Sequence, residues 1–287
     1  MNLQVWLCRK MWAKHDAKRD AGLTVPEDVA VCRDIRYGRD AQWQVLDVYR
    51  PKNRTGKLPV IVNFHGGGWI YGTKEVYQYY CMALAQQGFA VVNPSYRLAP
   101  EHRFPAAFAD MRRVFNFVLN HAGKCGFDTD RIFGIGDSSG ATGMAAIACL
   151  LTNPDYAARF LVKMPEGLHL RGVGLNCGVY SMKGRQKAFR DNLPKDNADE
   201  SLKLLHIPKL ITADFPPCFL LTAKGDFNCA QPQTIIPALE KYGVQYQCRI
   251  YGDEQNPLGH VFHCDMKNPE AKTANLDELA FFSSLLP

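Results

Sequence analysis

Two hydrophobic rhythms alternate along the chain. Apolar, strand-like runs at 58–64, 89–93, 131–136, 170–177, 219–223 and 245–251 predict strands, with 58–64 reading as buried on both faces. The stretches between most of them repeat apolar residues at three- and four-residue spacing and predict helices at 75–87, 141–151, 235–242 and 276–285. The clearest helix face is formed by Phe104, Ala107, Phe108, Met111, Val114, Phe115, Val118 and Leu119. This β-α-β-α order predicts an α/β architecture, a mostly parallel central sheet with helices on both faces. Segments 31–37 and 42–49 alternate more strictly and have no helix between them, which predicts an antiparallel hairpin at the edge of the sheet.

Residues 181–215 break the rhythm. They are polar and basic, and too long for a plain connection between two strands. Two readings fit, a lid over a site at the strand ends or a surface insertion. The positions of the chemical motifs favour the lid. With no repeat and no linker, a chain of 287 residues predicts a single domain spanning 1–287. Its first 20 residues predict a short helix, with Arg9, Lys10, Lys14, Lys18 and Arg19 among Trp6, Met11 and Trp12. Such a helix could lie on a membrane surface. Packing on the body with a solvated basic face is the preferred reading.

Composition narrows the function classes. At 47% hydrophobic and 22% charged residues, the chain has enough apolar surface to exclude global disorder. The 34 basic and 28 acidic residues leave a net charge of +6 without any run of five like charges, so no nucleic-acid footprint is indicated. No apolar run approaches the ~20 residues that span a bilayer, so no stable membrane insertion is expected. The opening MNLQVWLCRKMWAKHD lacks the uninterrupted apolar stretch of a secretory signal. Ten cysteines without CxxC spacing read as reduced, mostly buried thiols of a cytoplasmic protein.

The sharpest chemical signal is GDSSG at 136–140, which follows a strand and opens a helix. That is the context of a nucleophile elbow. The turn must be so tight that Gly136 and Gly140 carry no side chain, and Ser138 is thrust above the sheet at a helix N-terminus that favours negative charge. The same residues contain a loose dinucleotide-loop pattern, but the next strand ends Cys177, Gly178, Val179, Tyr180 with no acid to hold a ribose. The elbow is preferred. HGGGW at 65–69 also follows a strand, and its three glycines leave backbone N–H groups bare for close approach to a substrate oxygen. His65 is assigned a structural role in orienting that loop.

A serine nucleophile needs a base and an acid, expected in the order Ser, Asp, His. Asp226 follows the strand at 219–223, and His260 lies in the loop after the strand at 245–251. Both fall where open α/β sheets build their sites. Asp214 precedes its strand, Asp253 shares the histidine's loop, and His263 is the rival base; Gly259 leaves room for the His260 ring. His260, His263, Cys264 and Asp265 offer metal-ligand types, but without a second ligand pair no metal is expected. The lone His15, His102, His121, His169 and His206 read as surface or hydrogen-bonded residues.

HGGGW, then YRLAPEHRFPAAFAD at 96–110, then GDSSG, Asp226 and His260, together resemble the hormone-sensitive-lipase-like group of α/β-hydrolase esterases, from about residue 31 to the C-terminus. The resemblance implies an eight-stranded α/β-hydrolase fold, on which 181–215 would be the small lid insertion read above, with no cofactor and hydrolysis of carboxylic esters with short acyl chains. It implies oxyanion donors at Gly67, Gly68 and the Ser139 N–H. Ala141 stands where the group has a further glycine, and Phe227-Asn228-Cys229 where it has a Pro-Leu turn. The expected reaction is a serine carboxylesterase mechanism: Ser138 attacks, His260 takes its proton, and Asp226 orients the imidazole. Trp69, Tyr71 and 181–215 are expected to shape the substrate site, and their aromatic and basic character suits a small-molecule ester such as an acylated sugar. An amidase or lactonase with the same triad, and a non-catalytic small-molecule receptor, are the alternatives. A homo-oligomer is compatible with the sequence.

Overall fold

The computed structural model describes residues 3–286; residues 1, 2 and 287 of the expected domain and helix lie outside them. Eight strands form one sheet: β1 (Val29–Arg36), β2 (Val45–Pro51), β3 (Leu58–Phe64), β4 (Ala90–Pro94), β5 (Phe127–Asp137), β6 (Gly172–Asn176), β7 (Cys218–Ala223) and β8 (Tyr246–Tyr251). Their order is β1-β2-β4-β3-β5-β6-β7-β8. β1 and β2 are an antiparallel edge hairpin, β2 pairs antiparallel with β4, and every later pairing is parallel. The helices are α1 (Leu3–Asp20), α2 (Gln78–Gln86), α3 (Ala106–Asn120), α4 (Ala122–Cys125), α5 (Ser139–Thr152), α6 (Pro154–Arg159), α7 (Gln186–Phe189), α8 (Ala198–Lys203), α9 (Pro232–Lys241) and α10 (Pro269–Ser284).

Two apolar clusters sandwich the sheet. One joins α3, α5 and α9 to one face of the strands. The other joins α2 and α10 to the opposite face. β3, β4, β6 and β7 are buried at every position, which is why they read as unbroken apolar runs. α5 is buried all round because its Gly, Ala and Ser residues let it approach the sheet closely. A Cβ at Gly143 would lie 2.4 Å from the Phe64 ring.

Differences from the sequence reading lie mainly at element ends. The last helix begins at Pro269 rather than 276, because the Asn268 side chain accepts from the Glu270 N–H and Pro269 fits the first turn. Tertiary pairing with β3 extends β5 back to Phe127 through an irregular register at Pro59/Val60. Among the described residues, no helix is long and apolar enough to cross a membrane.

Residues 181–215 hold α7, α8 and a short 3-10 turn at Ile207–Lys209. α1 lies on the body and is tied down by its inner face. Arg9 donates to the Ile70 and Ala99 carbonyls and pairs with Glu101. The Tyr71 hydroxyl donates to Asp16, and Arg19 donates to the Val76 carbonyl.

Candidate active site

β5 ends at Asp137 and α5 begins at Ser139, so Ser138 sits alone in the turn with φ +52° and ψ −117°. The turn exists because two glycines make room. A Cβ at Gly136 would lie 2.5 Å from the Gly140 backbone, and one at Gly140 would lie 1.7 Å from the Phe64 carbonyl oxygen. The Ser138 N–H donates to the Asn176 carbonyl on β6, which fixes the turn against the sheet. Four of the five non-glycine residues with positive φ among the described residues surround this point: Trp69, Ser138, Cys177 and Val261. Such conformations cost of order 1–3 kcal/mol each and persist where packing over-determines them.

Ser138, His260 and Asp226 come together from three strand ends. Ser138 Oγ lies 3.0 Å from His260 Nε2, and His260 Nδ1 lies 2.9 Å from Asp226 Oδ1. Asp226 is buried. Burial alone would raise its pKa, yet the hydrogen bonds from His260 and from the Asn228 N–H hold the carboxyl below its ordinary range. The group is therefore ionised at neutral pH, and its stabilisation is lost only as pH falls through that depressed value. Sequence reasoning missed Cys177, whose Sγ, with the Asp226 oxygen and a His260 nitrogen, completes a set within 4.8 Å of one another. Its signal is hidden because β6 reads only as an apolar run.

The rivals fall elsewhere. Asp214 lines a depression with His169 and Arg171 near the start of β6. Asp253 accepts from the Gln255 and Asn256 N–H groups in an exposed turn. His263 is buried, packed edge-on to Tyr80, and burial lowers its pKa to about 3. Its Nε2 lies 3.5 Å from Cys264 Sγ, while Asp265 accepts from the Lys267 N–H. His260, His263, Cys264 and Asp265 thus do not converge. Among the described residues, the one set of three metal-ligating groups is Cys177, Asp226 and His260.

The HGGGW loop faces the elbow. Gly67 and Gly68 have φ of +99° and +61°, and a Cβ at Gly67 would lie 2.2 Å from the Tyr71 carbonyl oxygen. Among the described residues, the N–H groups of Gly67, Gly68 and Ser139 have no hydrogen-bond acceptor. The Trp69 N–H donates to Ser139 Oγ at 3.3 Å, which ties loop to elbow. Asp137 supports the loop from beneath. It accepts from the Gly66 N–H and the Tyr77 hydroxyl, and burial pushes its pKa up to about 6. His65 is sandwiched between Tyr96 and Tyr77 and donates through Nδ1 to the Gly66 carbonyl; burial lowers its pKa to about 4, so it is neutral.

Trp69 and Tyr71 flank this loop with inward-facing partners. The Trp69 ring is buried against Phe108 and Phe189, and Tyr71 meets Trp12 and Asp16 of α1. The segment 186–193 is fastened to the same loop, since Asn192 Nδ2 donates to the Gly68 carbonyl and Arg103 donates to the carbonyls of Arg190 and Leu193. Beside His260, a cavity of about 460 Å³ opens between the second half of α1 and the loop around Gly259.

Comparison with known proteins agrees with this geometry. Residues 46–190, half of the chain, match the BD-FAE family. Esterase LipC of Mycobacterium tuberculosis is 34% identical over 138 residues, 47% of this chain and 33% of that protein. An arylesterase of Saccharolobus solfataricus is 33% identical over 176 residues, 60% of this chain and 56% of that protein. The chain thus spans a third to little more than half the length of these curated relatives. Esterase B of Lactobacillus rhamnosis superposes with a TM-score of 0.89 at 28% identity, covering 98% of this chain and 94% of that one. The same esterase in a tributyrin phosphonate-inhibited form also gives a TM-score of 0.89. By the family match, the shared sheet and the arrangement at the strand ends, the chain belongs to the BD-FAE family, on the α/β-hydrolase fold that these esterases share.

Proposed function

We propose that the protein is a serine carboxylesterase that hydrolyses short-chain, acetyl-type esters through an acyl-enzyme. The observation that carries this reading is the continuous Ser138–His260–Asp226 relay facing the glycine-rich HGGGW loop. Ser138 Oγ attacks the ester carbonyl carbon while its proton passes to His260 Nε2. Asp226 holds the Nδ1–H tautomer and stabilises the imidazolium. The tetrahedral oxyanion takes hydrogen bonds from the N–H groups of Gly67, Gly68 and Ser139; one such donor is worth ~10²–10³ in kcat. The C–O bond to the alcohol breaks, and the alcohol leaves with the proton from Nε2. Water then attacks the acyl-enzyme, gives its proton to Nε2 and releases the acid, and Ser138 recovers its proton.

The relatives named esterase, and esterase B in its phosphonate-inhibited form, support the reaction class. Behind the HGGGW loop, Trp69, Phe104, Phe108 and Asn192 pack closely and leave only about 10 Å³ of free space. The 181–215 segment acts here as a cap over that loop, held through Asn192. An acylated sugar suits the polar, basic rim that includes Arg185, Lys187 and Arg190. The ten unpaired thiols suit a reducing, cytoplasmic setting. The test is hydrolysis of p-nitrophenyl acetate, butyrate and octanoate by the wild type and Ser138→Ala. Fast acetate turnover that vanishes in a folded Ser138→Ala protein is expected; a variant as active as wild type would overturn the assignment.

A further inference from the structure

The turn after β7 carries an aromatic ring that the relay does not use. Asp226 donates its N–H to the Ala223 carbonyl, the Asn228 N–H donates to Asp226 Oδ1, and Asn228 Nδ2 donates to the Cys177 carbonyl. The backbone around Phe227 is therefore pinned on both sides. Its side chain is nevertheless 75% exposed, the largest value for a phenylalanine among the described residues. The ring centroid lies 4.2 Å from that of the His260 imidazole, at an interplanar angle of 40°. One face of this aromatic leans on the imidazole, and the rest of it is apolar surface open to solvent.

The chemistry decides which part of a substrate can cover it. His260 Nε2 hands its proton to the leaving oxygen, so that oxygen comes within hydrogen-bond reach of the imidazole. The carbonyl oxygen, by contrast, is drawn to the N–H groups of Gly67, Gly68 and Ser139. The ring that leans on the imidazole therefore flanks the alcohol portion, a few heavy atoms beyond the leaving oxygen. Resting on the ester-hydrolase reading of this site, we infer that Phe227 is the wall of an alcohol subsite that selects esters whose alcohol presents a flat apolar face. An aryl ring and the C–H face of a sugar share that chemistry. A face packed on Phe227 gains the contact of an offset or edge-to-face aromatic pair, which sets the expected effect at about two- to tenfold.

A ring that only held the imidazole in place would behave differently. His260 serves both acylation and deacylation, so losing such support would slow both steps. Loss of an alcohol subsite slows acylation alone, because the alcohol has left before water attacks. The experiment compares phenyl acetate, a monoacetylated methyl glucoside and ethyl acetate, with wild type, Phe227→Ala and Phe227→Tyr. Deacylation is followed separately from the burst and steady-state phases with p-nitrophenyl acetate. Phe227→Ala is expected to lose about two- to tenfold in kcat/KM on phenyl acetate or the sugar ester, less than that on ethyl acetate, and nothing in deacylation, with Phe227→Tyr restoring the loss. Loss on phenyl acetate alone assigns an aryl face, and loss on the sugar ester assigns its C–H face.

Equal loss on all three alcohols, or an equal fall in deacylation, would overturn the subsite. Unchanged kinetics in Phe227→Ala, with Ser138→Ala inactive, would overturn it while leaving the esterase reading intact. A wild type that turns over none of the three esters removes both.

Discussion

Gly140→Ala is the sharpest probe of how the elbow and the oxyanion loop depend on each other. The added methyl would start 1.7 Å from the Phe64 carbonyl oxygen and 2.7 Å from that of His65, whereas real Cβ atoms keep at least 3.0 Å. Both neighbours are backbone, at the end of β3 and the start of the HGGGW loop, so no side chain can swing aside. Relief requires β3 and α5 to part by about 1.3 Å, the difference between 1.7 and 3.0 Å. That movement carries Gly66, Gly67 and Gly68 away from Ser138 and Ser139. Overpacking of this kind costs typically ~1–3 kcal/mol of stability. A displacement of ~1 Å in a reacting geometry costs ~10²-fold in rate, about 2.7 kcal/mol of barrier. Activity should therefore fall by about 10²-fold or more in protein that remains folded at 25 °C. The assay is kcat/KM on p-nitrophenyl acetate together with urea unfolding, with Gly123→Ala as the control, since a Cβ there meets nothing within 4 Å. A Gly140→Ala protein with wild-type turnover would refute the argument that backbone contact between β3 and α5 sets the site.

Two further perturbations test the electrostatics. Asp226→Asn keeps the shape but removes the charge that fixes the His260 Nδ1–H tautomer, so kcat should drop about 10⁴-fold while unfolding changes little; a loss below tenfold would mean that Asp226 is not the orienting acid. Glu278 is buried on α10 beside Gly174 and Tyr80, and burial raises its carboxyl to about 7. A raised carboxyl pKa contributes stability at low pH that is lost as pH rises from the ordinary carboxyl value through 7. Glu278→Gln should therefore gain on wild type by about 3 kcal/mol between pH 4.5 and 8 in denaturant unfolding. A difference between the two proteins that is constant with pH would refute the assignment.

The buried charges explain the site's economy. Asp137, next to the nucleophile, uses both carboxylate oxygens on the Gly66 N–H and the Tyr77 hydroxyl, and takes no part in the relay. It holds the HGGGW loop, while Asp226 at the end of another strand holds His260. Each acid's role follows from its partners within about 3 Å. The two are alike as residue types, and their surroundings set them apart.

Much of the architecture was legible along the chain because burial on both faces of a parallel sheet leaves apolar runs without alternation. β3, β4, β6 and β7 are such runs, whereas in the edge hairpin β1 is largely open to solvent and β2 buries Leu46, Asp47, Val48 and Tyr49 in succession. Gly136 and Gly140 were readable for a related reason, since a turn this tight admits no other residue. Ser138, Asp226 and His260 could be proposed by order and by position after strands. Their hydrogen bonds could not, because residues 88 and 34 positions apart meet only when β5, β7 and β8 lie in one sheet with their ends together. Partner choice is likewise a tertiary property. Trp69 turned to Phe108 and Phe189, Tyr71 to Asp16, and Phe227 to the imidazole. Periodicity and glycine placement are local constraints that the chain states residue by residue, whereas the direction of a side chain is settled by what the folded sheet brings beside it.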